Sequence, residues 1–118
     1  MAENKREMEH RPWGFYEVLA DEIDHKVKRI TVEPASRLSL QRHQHRKEHW
    51  FVVHGESLVT LDGKETKLSS GQAIDIPQGS FHRITNKGTQ RLIYIEVQLG
   101  DYFGEDDIER VDDDYGRI

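Results

Sequence analysis

Cysteine is absent from this 118-residue sequence, and so is any hydrophobic run long enough to cross a membrane. Without cysteine the chain forms no disulfides and offers no thiolate ligands to a metal. A membrane-spanning helix needs about 20 consecutive apolar residues, whereas only 35% of this chain is hydrophobic. The polar N-terminus is followed by no apolar stretch, so it does not resemble a signal peptide. We therefore expect a cytoplasmic protein with no membrane partner.

The sequence also lacks a large basic region. Residues 101–118 contain eight acidic and two basic residues and carry a formal charge of −6. The remaining 100 residues contain 15 basic and 14 acidic residues, so they are nearly neutral. Nucleic acid is therefore not an expected partner. A small anion bound by a local cluster of bases is compatible with this composition.

Internal repeats and helical periodicity are missing as well, and short strand patterns separated by turn residues dominate. The dipeptide Asp62-Gly63 predicts a type I′ hairpin turn, and the apolar run 50–53 predicts a strand buried on both faces. So many short strands need a sandwich or closed barrel to cover their apolar faces. We expect one all-β domain over residues 11–118, preceded by a disordered segment over residues 1–10. The acidic C-terminal segment is expected either to form one helical turn over 105–110 or to wrap around the barrel.

Histidines are concentrated in one region, because four of the seven lie between positions 43 and 54. Strand alternation places Gln41, His43 and His45 on one face. After a turn at 46–47, Glu48 can return to the same cavity, and His82 can reach it from a distant strand. Imidazole nitrogens with carboxylate or amide oxygens suit Zn, Mn, Fe, Co or Ni. Surface roles are expected for His10, His25 and His54, and His49 is expected to face away from Glu48.

Two motifs give these spacings a specific form. The first motif consists of glycine, five residues, proline, one residue, glycine, two residues, histidine, three residues and asparagine. Every position of this motif is filled here, by Gly71, Pro77, Gly79, His82 and Asn86. A second motif runs through Gln41, His43, Glu48 and Gly55, with Gln41 in place of a histidine and Ala35 in place of a glycine. Alanine in place of glycine at position 35 requires only that the backbone of this turn does not have a positive φ. Both motifs are similar to those of the cupins, which are small double-stranded β-helix barrels with metal ligands on facing strands.

A wider match is more specific. The chain resembles the type II mannose-6-phosphate isomerase domain from about residue 11 to residue 117, in the segments Arg11-Pro12-Trp13-Gly14, Ser39-Leu40-Gln41-Arg42-His43, Glu48-His49-Trp50, Glu96-Val97-Gln98, Gly104-Glu105-Asp106-Asp107-Ile108 and Tyr115-Gly116-Arg117. The resemblance implies interconversion of mannose 6-phosphate and fructose 6-phosphate through an enediol. It also implies a divalent ion, Zn by preference and otherwise Mn, Co, Ni or Fe, held by Gln41, His43, Glu48 and His82.

The remaining roles follow from this resemblance and from strand alternation. His45 is the first candidate for the catalytic base and Glu96 the second, and Lys28 and Arg83 are the expected ligands of the substrate phosphate. Such domains usually follow a guanylyltransferase, but no glycine-rich nucleotide loop occurs here, so we expect a free-standing isomerase domain. Small cupins often pair through barrel edges, and exposed edge strands favour association, so we also expect a homodimer. The alternatives are a sugar-binding or regulatory cupin without turnover, a metal-dependent dioxygenase, and a metal-free deoxysugar epimerase.

Overall fold

The computed structural model describes residues 7–118, and within that range the protein is built from strands and turns without a helix. The twelve strands are β1 (Met8–Arg11), β2 (Gly14–Asp21), β3 (His25–Val32), β4 (Ser36–Arg37), β5 (Leu40–Arg42), β6 (Arg46–His54), β7 (Ser57–Leu61), β8 (Lys64–Leu68), β9 (Ala73–Ile76), β10 (His82–Asn86), β11 (Leu92–Gly100) and β12 (Glu109–Asp112). The all-β prediction is confirmed. No helix in residues 7–118 has the length and apolar character that a membrane crossing requires.

Two antiparallel sheets enclose the core. One has the strand order β1-β2-β3-β11-β6-β9, and the other has the order β12-β5-β10-β7-β8, with β4 paired to β10. Branched and aromatic side chains from both sheets fill the space between them. The fully buried members of this core are Val32, Val52, Val59, Ile84, Leu92 and Tyr94.

Strand β6 is buried on one face only, which corrects the expectation for residues 50–53. Its residues alternate strictly between buried and exposed from Arg46 onwards. Trp50 and Val52 enter the core, whereas Phe51 and Val53 are 42% and 44% exposed on the outer face. The apolar run therefore spans both faces of a strand that has a single buried face. The inward set of β6 also includes Arg46 and Glu48, so this strand brings charge into the barrel.

Two turns test the backbone expectations. The hairpin of β7 and β8 has the predicted positive φ at both turn positions, 47° at Asp62 and 83° at Gly63. Ala35 also has a positive φ, of 59°. The expectation that this turn avoids positive φ is therefore wrong, and Ala35 holds a left-handed conformation that costs a residue with a Cβ about 1 kcal/mol.

Both ends of the described range, residues 7–118, pair with the sheets. Residues 8–10, which were expected to be disordered, form most of β1 and pair with β2; residues 1–6 of that expectation lie outside the described residues. The acidic C-terminal segment contains no helical turn over 105–110. It passes along the barrel and adds β12 beside β5, so the second of the two expected arrangements is the observed one.

Candidate active site

A polar cavity of about 70 Å³ opens between the two sheets. Its polar lining consists of Arg11, Ser39, Gln41, Lys28, His43, Arg46, Glu48, His82, Glu96, Glu105, Arg110 and Arg117. Five of these are lysine or arginine and three are glutamate, so the lining has a formal excess of two positive charges.

Three elements bring two histidines and a glutamate together at the base of this cavity. His43 follows the end of β5, Glu48 lies on the inward face of β6, and His82 begins β10. The turn before β10 fixes the relation between the histidines, because the Gly79 amide donates a hydrogen bond to the His43 carbonyl. Gly79 has φ +82°, a conformation that suits glycine. All three side chains are at least 95% buried.

The hydrogen bonds of the two histidines define which ring nitrogen faces the cavity. A backbone carbonyl can only accept, so Nδ1 of His43 donates to the Asp107 carbonyl at 2.7 Å and Nδ1 of His82 donates to the Ser80 carbonyl at 2.9 Å. In the neutral rings, each Nε2 therefore presents a lone pair to the cavity. This is the tautomer that a metal-ligating histidine adopts when a second partner holds its other nitrogen.

These lone pairs face the carboxylate of Glu48. Nε2 of His43 lies 3.4 Å from Glu48 Oε2, and Nε2 of His82 lies 3.9 Å from Glu48 Oε1. Three electron-rich atoms that converge in this way need a cation among them. One ligand atom from each side chain lies within 4.8 Å of the others, which is compatible with bond lengths of about 2.0–2.2 Å to a shared divalent ion. The donor set fits a metal, and this group can hold one.

Arg46 packs against one side of the same group. Its Nε donates to Glu48 Oε2 at 2.9 Å, and its Nη2 donates to His43 Nε2 at 3.2 Å. On the other side, the Trp50 indole donates to Glu48 Oε1 at 2.9 Å. Each carboxylate oxygen thus accepts one hydrogen bond and retains lone-pair capacity. Nη1 of Arg46 is buried and has no hydrogen-bond partner, so this donor is free to bind a ligand oxygen.

The second buried glutamate, Glu96, lies on β11 beside Glu48. Burial and then the negative charge of Glu48 raise the Glu96 pKa to about 7. Burial also acts on Glu48, but the charges of His82 and Arg46 outweigh it and hold the pKa of Glu48 below its ordinary value. The two carboxyl groups therefore differ: one is a fixed anion, and the other can exchange a proton near neutral pH.

The pKa of His43 is lowered to about 4, first by burial and then by the positive charge of Arg46. The ring is therefore neutral at pH 7, and its Nε2 carries a lone pair, which accepts the hydrogen bond from Arg46 Nη2. A neutral imidazole is the form that binds a metal ion.

The structure corrects the position of His45. Residues 43–45 form a bend between β5 and β6, so strand alternation does not continue through them. His45 points outward, its side chain is 56% exposed, and it lies near Asp101 and Tyr102 on the surface. Arg46 takes the inward position instead. The expectation that His45 shares the inward face is wrong, and His45 is not placed to act as a base in this cavity.

The two expected phosphate ligands also differ from each other. Lys28 lines the cavity, but its Nζ is paired with Glu105 at 2.5 Å. Arg83 lies outside the cavity lining, which corrects its expected role. Its guanidinium donates to the Leu38 carbonyl, to the Asp112 carboxylate and to the Asp112 carbonyl. Arg83 therefore joins β12 to β10, and none of these contacts brings its guanidinium to the cavity.

Gln41, the fourth expected metal ligand, lines the cavity opposite His82 in the pairing of β5 with β10. Arg46, Glu105, Arg110 and Arg117 also line it and were not anticipated. Alternation along β6 could have revealed Arg46, since it lies two residues before Glu48. The other three lie on a segment whose path depends on long-range pairing.

Comparison with known proteins identifies relatives of this arrangement. The model of the family described as mannose-6-phosphate isomerase C-terminal matches residues 2–113. Alginate biosynthesis protein AlgA of Pseudomonas aeruginosa is 52% identical over 108 residues, which are 92% of this chain and 22% of that protein. Mannose-1-phosphate guanylyltransferase of Escherichia coli is 45% identical over 116 residues, 98% of this chain and 25% of that protein. The chain thus spans about a quarter of the length of these relatives.

Among solved structures, the capsular polysaccharide assembling protein CapF from Staphylococcus aureus superposes with a TM-score of 0.82. The identity is 19%, and the match covers 93% of this chain and 35% of that one. A likeness at this identity establishes the fold alone. The fold is the cupin double-stranded β-helix, as the two sequence motifs imply.

Proposed function

The chain belongs to the mannose-6-phosphate isomerase C-terminal family, and from that premise we propose that its cavity interconverts mannose 6-phosphate and fructose 6-phosphate. The observation that carries the proposal is the position of Glu96, a buried carboxyl group beside the converging ligand atoms of His43, Glu48 and His82. An aldose–ketose isomerisation needs these two parts together: a site that stabilises negative charge on sugar oxygens and a group that moves a proton.

Three side chains would hold the metal, His43, Glu48 and His82, with Gln41 beside them on the cavity wall. A divalent ion bound there supplies Lewis acidity, which lowers the cost of negative charge on the carbonyl and hydroxyl oxygens of the sugar. No redox change is involved, so Zn is the first ion to test, with Mn, Co, Ni and Fe as alternatives.

The other residues of the cavity would transfer the proton and orient the substrate. Glu96 is the proposed base, which removes the proton at C2 of the aldose and returns it at C1, leaving an enediol of the substrate between the two steps. The unpartnered Nη1 of Arg46 can donate a hydrogen bond to a sugar oxygen. Trp13, Ile30, Leu38 and Trp50 supply the apolar lining that limits access of water.

The test is a coupled assay in which the chain is loaded with each divalent ion in turn and offered mannose 6-phosphate. We expect metal-dependent formation of fructose 6-phosphate that is lost on chelation and in His82→Ala. His49→Ala is the matched control, because His49 is exposed and paired with Asp75 outside the cavity; this variant should retain both bound metal and turnover. Absence of turnover with every ion would overturn the isomerase and leave a sugar-phosphate-binding domain.

A further inference from the structure

We propose that three arginines of the cavity lining, Arg11, Arg110 and Arg117, form a binding site for the phosphate group of the substrate, with Arg110 at its centre. The identity of the ligand as a sugar phosphate rests on the proposed function. The binding of a phosphate anion at this position does not, and the experiment below separates the two.

The position of Arg110 follows from the strand pairing. In the register of the second sheet, Arg110 on β12 lies opposite Gln41 on β5, and Gln41 lies opposite His82 on β10. Residues directly opposite one another share a face of a sheet. Because His82 faces the cavity, Arg110 faces it as well, two strands away. Strands are about 4.8 Å apart, so the backbones of Arg110 and His82 are separated by about 10 Å.

Arg110 differs from Arg11 and Arg117 because no carboxylate in residues 7–118 forms an ion pair with it. Its Nε is buried without a hydrogen-bond partner, and no acidic side chain in residues 7–118 forms an ion pair with it. The acidic residues on its own strand are engaged elsewhere, since Glu109 pairs with Arg42 and Asp112 pairs with Arg83. A buried donor left without an acceptor costs free energy, and a bound anion would recover it.

The surrounding charge increases that cost. Arg117 and Arg11 line the same cavity. Burial and then the positive charge of Arg117 lower the pKa of Arg110, the carboxylates of Asp113 and Glu105 act in the opposite direction, and Arg11 adds a smaller lowering. Arg117 is held in place by a two-pronged contact with Asp113 at 2.9 Å. Arg11 is oriented by the Tyr16 hydroxyl at 3.2 Å. Three guanidinium groups fixed near one another, one of them unpaired, are suited to a multiply charged oxyanion such as phosphate.

The deeper cations of the cavity are already neutralised. Arg46 is paired with Glu48, and Lys28 is paired with Glu105. Arg117 is paired with Asp113 and Arg11 with Glu9, so within residues 7–118 the unneutralised positive charge of the lining is that of Arg110, away from the proposed metal ligands. A six-carbon sugar phosphate carries its reacting C1 and C2 at one end and its phosphate at the other. The separation between His82 and Arg110 lets one molecule reach both positions.

The experiment uses the full chain without added metal, so that a metal ion cannot bind the phosphate. Inorganic phosphate, mannose 6-phosphate and mannose are titrated separately and followed by NMR chemical shifts of the arginine side chains. We expect phosphate and mannose 6-phosphate to bind and mannose to bind much more weakly. Arg110→Gln should weaken phosphate binding about 10- to 100-fold, which corresponds to the loss of a charge-assisted hydrogen bond, and Arg110→Lys should restore part of it.

Arg91→Gln is the matched control, because Arg91 is exposed and its guanidinium is paired with Glu33 outside the cavity. It should leave phosphate affinity unchanged. The melting temperature separates binding from folding: Arg110→Gln should keep or raise it, since the substitution removes a half-buried charge whose Nε has no hydrogen-bond partner in residues 7–118. No phosphate binding to the unmodified chain, or equal losses in the two variants, would overturn the site.

The metal-loaded enzyme distinguishes the two proposals. If the chain isomerises, Arg110→Gln should raise KM for mannose 6-phosphate more than it lowers kcat. If phosphate binds at Arg110 but no ion supports turnover, the isomerase fails and the anion site stands. If turnover occurs and Arg110→Gln leaves both phosphate affinity and KM unchanged, the anion site fails alone.

Discussion

Two glutamates of similar burial differ in charge because their neighbours differ. Glu48 accepts hydrogen bonds from Arg46 and Trp50, which stabilise its ionised form. Glu96 instead accepts a hydrogen bond from the Gln98 amide at 2.6 Å and faces the negative charge of Glu48. The same side chain is thus an anion in one position and a group that exchanges a proton near neutral pH in the other. This contrast is the reason why Glu96, and not Glu48, is the proposed base.

Glu96→Gln tests this assignment. The amide keeps the size of the side chain but cannot take up a proton, so kcat should fall by about 10²- to 10⁴-fold. Metal affinity, measured by titration of the metal-free chain, should be retained because Glu96 is not among the three converging ligands. His45→Ala is the control and should leave kcat unchanged, since His45 is exposed outside the cavity. A large loss in His45→Ala with little loss in Glu96→Gln would reverse the assignment.

At the scale of elements, local turns could be predicted from the sequence and long-range pairings could not. The spacing around Pro77 and Gly79 predicts the position of His82, because a turn of this length fixes where the next strand begins. Alternation fails at His45, since one bend shifts the parity of every later residue. Arg110 could not be identified at all, because its inward face depends on β12 pairing with β5 across about 70 positions of sequence.

The backbone of β11 approaches the start of β6 closely at Gly100. This contact predicts the effect of adding a side chain at that position. Gly100 lies opposite Arg46 in the pairing of these strands. A Cβ at this position would lie 2.1 Å from the His45 carbonyl oxygen and 2.9 Å from the Arg46 Cα. Both are backbone atoms and cannot rotate away. Gly100→Ala should therefore displace the start of β6 and lower the free energy of unfolding by about 3 kcal/mol or more.

Urea unfolding followed by circular dichroism measures this change. The same variant should bind metal more weakly, because Arg46 and the adjacent bend position His43. Gly88→Ala is the control, since the nearest atoms to its added Cβ would be Asn86 Oδ1 at 3.3 Å and the Gln90 amide nitrogen at 4.0 Å, both much farther than the contacts at Gly100. Equal stabilities of the two variants would show that β6 tolerates displacement and that the metal ligands do not depend on this contact.

At the scale of the whole molecule, ion pairs attach the acidic C-terminal segment to the barrel. The segment 101–118 carries −6 and lies against a barrel of nearly balanced charge. It is joined to the barrel through the ion pairs Lys28–Glu105, Arg42–Glu109, Arg83–Asp112 and Arg37–Asp114. Asp107 adds hydrogen bonds from the amides of Gln44 and His45. The segment that supplies Arg110 and Arg117 to the cavity is therefore held largely by carboxylates.

Because the carboxylates of this segment are ionised in the folded protein, we expect the protein to lose stability in acid. Hydrogen bonds from Arg117 lower the pKa of Asp113 from 3.8 to about 2, and Arg37 likewise lowers the pKa of Asp114. A carboxyl whose pKa is lower in the folded state stabilises the fold above its unfolded pKa. That contribution disappears as pH falls through the folded pKa. The free energy of unfolding should therefore decrease between about pH 4 and about pH 2.

The pH window excludes the titration of Glu96, and the Asp113 variant separates Asp113 from the other carboxylates with lowered pKa values, among them Glu48, Glu105 and Asp107. The Glu96 pKa is higher in the folded state, about 7 against 4.5, so this group opposes the trend only above about pH 4.5. Below that value Glu96 is protonated in both states and adds no slope. Melting temperatures measured with chelator between pH 4 and pH 2 should fall, and Asp113→Asn should make the fall shallower. If the variant and the unmodified chain lose stability in parallel, the contact between Arg117 and Asp113 within the C-terminal segment contributes nothing to the stability of the fold, and the acid response must come from the remaining carboxylates.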